Sequence, residues 1–105
     1  MPYPVTLRIT ERAKGELAHS EFGSWEDSSE ADREHHAVTI CRNSPRGRLV
    51  VHNVQQADAL LYALSTGTFG LRDKGFLPTC RRLYEELAPF ASAEARRQCR
   101  YPDGY

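Results

Sequence analysis

Between Ala37 and His52 the chain carries the pattern that most restricts its fold. Ala37-Val38-Thr39-Ile40-Cys41-Arg42 and Arg48-Leu49-Val50-Val51-His52 are rich in β-branched residues and flank Ser44-Pro45-Arg46-Gly47. Proline at the second turn position and glycine at the fourth fit a type I turn, and Gly47 is free to take a positive φ. The pattern predicts a β-hairpin. With Arg42 facing Leu49, residues Val38, Ile40, Leu49 and Val51 share one face; a bulge at Gly47 would regroup them. Because Leu49-Val50-Val51 is apolar on both faces, it reads as a central strand.

Upstream, Val5, Leu7 and Ile9 alternate with Pro4, Thr6 and Arg8, the period of a half-buried strand whose prolines suit a sheet edge. Thr10 to Phe22 holds a weak helical stripe of Ala13, Leu17, Ala18 and Phe22, with Thr10 as cap and Gly15 weakening its middle. Residues 23–36 lack periodicity and read as an acidic surface loop.

Downstream, Asn53 with Gln56 forms a capping box ahead of Ala57, Leu60, Leu61 and Leu64, a helix ended by Gly67. Residues 68–77 form a glycine-rich connector. Pro78 opens a helix with Cys80, Leu83, Tyr84 and Leu87 on its apolar face. Ser92 caps a short last helix, and 101–105 is a frayed tail. The order predicts an α+β fold: a small antiparallel sheet, made of an edge strand plus the hairpin, with two or three helices packed on one face. At 105 residues and 11.9 kDa there is room for one core, hence one domain over 1–105.

Charge is unevenly placed. The formal total is zero, yet residues 1–36 hold four bases against eight acids, and residues 37–105 hold ten against six. Six of those acids lie between Glu21 and Glu34 around a lone Trp25. Separated patches of this kind steer partners without any net charge. The chain is not basic enough overall to read as a general nucleic-acid binder. Met1 to Arg8 has neither an apolar run nor a cleavage pattern, and no stretch reaches the ~20 apolar residues of a membrane span. Three widely spaced cysteines do not form a secreted disulfide framework. A cytoplasmic protein without membrane contact is expected; with a pI near 6.9, homo-oligomers are compatible.

Catalytic and metal chemistry find weak footing. His35, His36, Cys41 and His52 lack the close ligand pairs of zinc sites, and adjacent histidines on a strand point to opposite sides. Cys41 with His52 has no orienting carboxylate, so Cys41 reads as a core thiol. The glycines of 67–75 follow a helix, whereas a phosphate loop precedes one. No enzyme, cofactor or metal is therefore expected. The acidic segment is the preferred contact, with Trp25, Glu26, Asp27 and Glu30 meeting a protein partner that has a basic surface. In that reading the protein is a regulator, an adaptor or an inhibitor of the kind that phages and other mobile elements encode. The alternative is a nucleic-acid-binding module using Arg42, Arg46, Arg48, Arg96, Arg97 and Arg100, with a steep salt dependence as its signature.

Overall fold

The computed structural model describes residues 2–66 and 75–99. Its strands are β1 (Val5–Arg8) and β2 (Arg48–Val51), paired antiparallel as Val5↔Val51, Thr6↔Val50, Leu7↔Leu49 and Arg8↔Arg48. Its helices are α1 (Glu11–Asp27), α2 (Glu30–Arg33), α3 (Ala37–Asn43), α4 (Val54–Thr66), α5 (Leu77–Leu87) and α6 (Ala93–Gln98), with a 3-10 turn at Ala88–Phe90. This is a small α+β fold. The expected helix end at Gly67, residues 68–74 of the expected 68–77 connector and the tail over 101–105 lie outside the described residues. The connector's last residue, Leu77, already opens α5.

Alternation along the sheet is as the sequence requires. Val5, Leu7, Leu49 and Val51 turn inward, while Thr6, Arg8 and Arg48 face out. Leu49 and Val51 are fully buried, together with Leu17, Leu60, Leu61, Leu64, Leu83 and Leu87, in one core between the sheet and the helices. The three helices after β2 start where their caps place them. Asn53 Oδ1 accepts from Gln56 N–H at 2.9 Å, and Gln56 Oε1 reaches back to His52 N–H at 2.9 Å. Pro78 sits in the first turn of α5, and Ser92 Oγ accepts from Ala95 N–H at 3.1 Å. Asp58 then ties α4 to that cap, accepting from both Ser92 N–H and Ser92 Oγ at 2.8 and 2.7 Å.

The antiparallel pair uses a different partner from the one expected. Arg48–Val51 is a strand, but it pairs with β1, and Ala37–Asn43 is a helix. Its buried residues are Ala37, Val38, Ile40 and Cys41, a helical grouping that so short a stretch does not distinguish from a strand by its sequence pattern. His36 supplies the cap, its Nδ1 accepting from Val38 N–H at 3.1 Å. Packing against α1, α4 and β2 overrides the strand preference of Val38, Thr39 and Ile40. In a two-stranded sheet β2 is not central; Val50 is half-buried, and its N–H donates to Ser44 Oγ at 2.9 Å. The turn also shifts by one residue, closing from Arg48 N–H to Pro45 O at 3.1 Å. Gly47 becomes its third residue with φ +77°, the place where type II turns require glycine.

The acidic stretch is not a loop. Thr10 caps α1 as expected, its side chain accepting from Ala13 N–H at 3.1 Å, but the helix runs on to Asp27. The inward stripe of Lys14, Leu17 and Ala18 continues at helical spacing through Glu21, Trp25 and Ser28, all at least partly buried. Apolar counting ends this stripe too early because its later members are polar or amphipathic. Ser29 then caps α2 by accepting from Asp32 N–H at 3.2 Å.

Lys14 has no counterpart in the apolar pattern. It is only 7% exposed, and its Nζ donates to Pro45 O at 2.9 Å and Arg48 O at 3.2 Å while pairing with Glu11 at 3.1 Å. Glu11 also accepts from Gly47 N–H, and that bond, followed by Lys14, holds its carboxyl below the usual range. Replacing Lys14 by methionine keeps the stem's packing and removes every donor. The variant is expected to lose about 1–3 kcal/mol of stability, the cost of leaving buried acceptors unpaired. Urea unfolding of Lys14→Met beside the wild type measures it; unchanged stability would show that the turn does not depend on the ammonium.

Candidate functional site

Trp25 lies on the inward side of the last turns of α1, where α1, α2 and α3 converge. Its indole Nε1 donates to Thr39 Oγ1 on α3 at 3.1 Å. Phe22, one turn earlier, stacks on it with ring centroids 5.6 Å apart and planes 25° apart. Two guanidiniums, those of Arg33 and Arg42, each sit 4.5 Å from the indole centroid, and Arg42 is also 5.8 Å from Phe22. Contacts of this kind stabilise by roughly 0.5–1 kcal/mol each when partly exposed.

Arg33 has a second task. The last turn of α1 has no basic residue of its own and ends in Glu26 and Asp27, the wrong charge for a helix C-terminus. Arg33 reaches back from α2 and donates to Trp25 O at 2.8 Å and Glu26 O at 2.6 Å, supplying the missing cation. Ser28 completes this end, with Oγ donating to Ser24 O at 2.8 Å. The lone base of the acidic segment thus folds the segment onto itself.

Of the four expected contact residues, Glu26, Asp27 and Glu30 are exposed and Trp25 is half-buried. Phe22 is 39% exposed and extends the aromatic surface beside them. The helical spacing of Phe22 and Trp25 (i, i+3) is visible in the sequence, but it acquires meaning only when the helix is carried past Phe22. Glu21, on the buried side, has its carboxyl pushed up by burial.

The arginines of the alternative reading do not form one group. Arg42 belongs to the Trp25 cluster. Arg46 and Arg48 lie at the turn into β2, Arg96 and Arg97 are exposed on α6, and Arg100 is outside the described residues. Three arginines do line one cleft, and two of them, Arg8 and Arg82, are not among those expected from the sequence. The cleft has a volume of about 530 Å³ and runs between the Arg8–Arg48 end of the sheet, the start of α1 and the outer face of α5.

Cys41 is buried on α3, and desolvation pushes its thiol up to about 11, far from the activated thiolate that nucleophilic chemistry needs. His36 is spent on capping, with Nε2 3.2 Å from Ser24 Oγ, and burial lowers its affinity for a proton. Among the described residues no three of His, Cys, Asp and Glu gather closely enough to hold a metal ion, and no helix is long and apolar enough to cross a membrane. Comparison with known proteins gives no match to a protein family, to a curated protein or to a solved structure.

Two outcomes follow from this geometry. Trp25→Ala removes a half-buried ring, its hydrogen bond and two cation–π contacts, and is expected to cost about 2–3 kcal/mol, measured by urea unfolding. A loss below about 0.5 kcal/mol, the range of ordinary surface changes, would mean that the ring is dispensable to the fold. Glu21 differs in sign. Because its folded-state pKa is raised, the folded protein holds the proton more tightly, and Glu21's contribution to stability falls as pH climbs above the unfolded value of 4.5. Glu21→Gln should therefore raise the melting temperature at pH 7, with the gain shrinking towards pH 4. An equal effect at both pH values would refute the burial argument.

Proposed function

We propose that this chain is a small non-enzymatic binding protein, a regulator, adaptor or inhibitor, that meets a partner protein through the surface built on α1 and α2. The observation that carries this reading is the Phe22–Trp25 stack, with Phe22 39% exposed and Glu26, Asp27 and Glu30 open to solvent nearby. Aromatic residues with arginine are the side chains that dominate binding energy at protein interfaces, and a rim of acids favours a partner with a basic surface. Trp25 acts here as the rigid base of the contact and Phe22 as its exposed part. A fixed ring loses little conformational entropy on binding, which favours affinity. The second reading, a nucleic-acid-binding module, draws on Arg46 and Arg48 beside the turn but has to span separate elements to include Arg96 and Arg97.

The test exploits the division of labour between the two rings. Phe22→Ser should cost about 1 kcal/mol of stability, less than Trp25→Ala, and weaken partner binding by about 2 kcal/mol, roughly thirtyfold. Reversing Glu26, Asp27 and Glu30 to lysine should slow association and flatten its salt dependence. Affinity capture with and without nuclease, using wild type and both variants, supplies the partner and the comparison. Recovery that survives nuclease and falls with both variants supports the proposal. Recovery abolished by nuclease would put nucleic acid first.

A further inference from the structure

We infer that the arginine-lined cleft beside the sheet binds a phosphate-bearing small molecule. The argument starts from the register. Arg8 and Arg48 are directly opposite across the antiparallel pair and both face outward, so two like charges sit where a cross-strand pair would normally be complementary. Neither has a carboxylate partner among the described residues. Arg82 brings a third guanidinium from α5. It is oriented by donating to Arg8 O at 2.6 Å and to Glu86 at 2.8 Å, which occupy two of its five N–H donors.

The remaining walls favour an anion. Thr10 and Gly47 line the cleft, and Thr10 is the cap of the seventeen-residue α1, so the positive end of that helix opens here. Glu11, the acid of that first turn, is engaged by Gly47 N–H and Lys14. The lining holds three guanidiniums against one carboxylate, Glu86. That excess of two positive charges matches a phosphate dianion and exceeds what a single carboxylate would neutralise. Guanidiniums also offer the paired donors that phosphate oxygens accept. The cleft is open to solvent and has room, at about 530 Å³, for a phosphate group held against the guanidiniums, with α5 along one side.

Inorganic pyrophosphate is the probe, titrated calorimetrically into the full chain at moderate salt. Saturable binding is expected, weakened about tenfold or more in Arg8→Gln and in Arg48→Gln and changed less than about twofold in Arg97→Gln, whose side chain is exposed on α6. Arg8→Gln removes one of two like charges paired across the strands, so its melting temperature should match or exceed the wild type's. Arg48→Gln also gives up the bond from Nη1 to Gly47 O at 3.0 Å and should melt close to the wild type. Should either fail to fold, the wild type alone decides, because pyrophosphate must raise its melting temperature more than sulfate does at equal ionic strength. Adenosine monophosphate should compete and adenosine should not, which separates the phosphate from the base. Absence of saturable binding, or equal loss in Arg97→Gln, overturns the inference. So does a single-stranded oligonucleotide that displaces pyrophosphate with a steep salt dependence, since the ligand would then be a nucleic acid.

Discussion

The fold depends on an ammonium group inside it. The turn that launches β2 points the carbonyls of Pro45 and Arg48 at α1, and backbone oxygens taken out of water need donors. Lys14 provides them from the buried face of α1, and Glu11 balances its charge one turn earlier. Burying a lone charge is costly, but a cation with three oxygen partners is satisfied. Glu11 adds a bond of its own to Gly47 N–H, so both sides of the turn are held by the first turns of α1. With the turn pinned, β2 meets β1 in one register, and Ile9 N–H closes the end of the sheet on Gly47 O at 3.1 Å.

That anchoring has consequences at both ends of α1. At its start, it sets the Arg8–Arg48 end of the sheet against α5 and so shapes the arginine cleft. At its end, the length of the helix carries Trp25 to Thr39 on α3, and Arg33 returns from α2 to cap the carbonyls. The α1–α3 contact is thus closed by amphipathic side chains, whereas the middle of the molecule is closed by leucines. Amphipathic closure leaves a surface that is partly apolar and partly charged, and the proposed contact rests on that combination.

The two surfaces carry opposite charge. The α1–α2 end exposes Glu26, Asp27, Glu30, Asp32 and Glu34, while the sheet end exposes Arg8, Arg46 and Arg48. The imbalance visible along the chain therefore survives folding as an acidic surface and a basic one, each built on its own elements. The molecule is thus dipolar although its formal charge is zero.

Local signals were legible wherever a single side chain decides the outcome. Thr10, Asn53, Pro78 and Ser92 start helices because each satisfies or dispenses with an orphan N–H within one turn, and the α4 and α5 stripes bury what their spacing says. Alternation at Val5 to Ile9 and the exposure of Glu26, Asp27 and Glu30 were equally plain. The partner of β2 was not legible, because Val38-Thr39-Ile40 is as good a strand as β1 until α1, α4 and β2 surround it and favour a helix. Nor was the helical state of 23–27, since it rests on Trp25 finding Thr39 and Arg42 in a distant segment. The cleft was hidden for the same reason: Arg8, Arg48 and Arg82 are far apart in the chain and meet only through sheet register and the docking of α5. Sequence alone determined the α+β class, the caps and the charge asymmetry, which follow from contacts within a few residues. Tertiary structure decided which strands pair, where the acidic segment folds and which arginines converge, because those outcomes turn on satisfying buried polar groups across long stretches of chain.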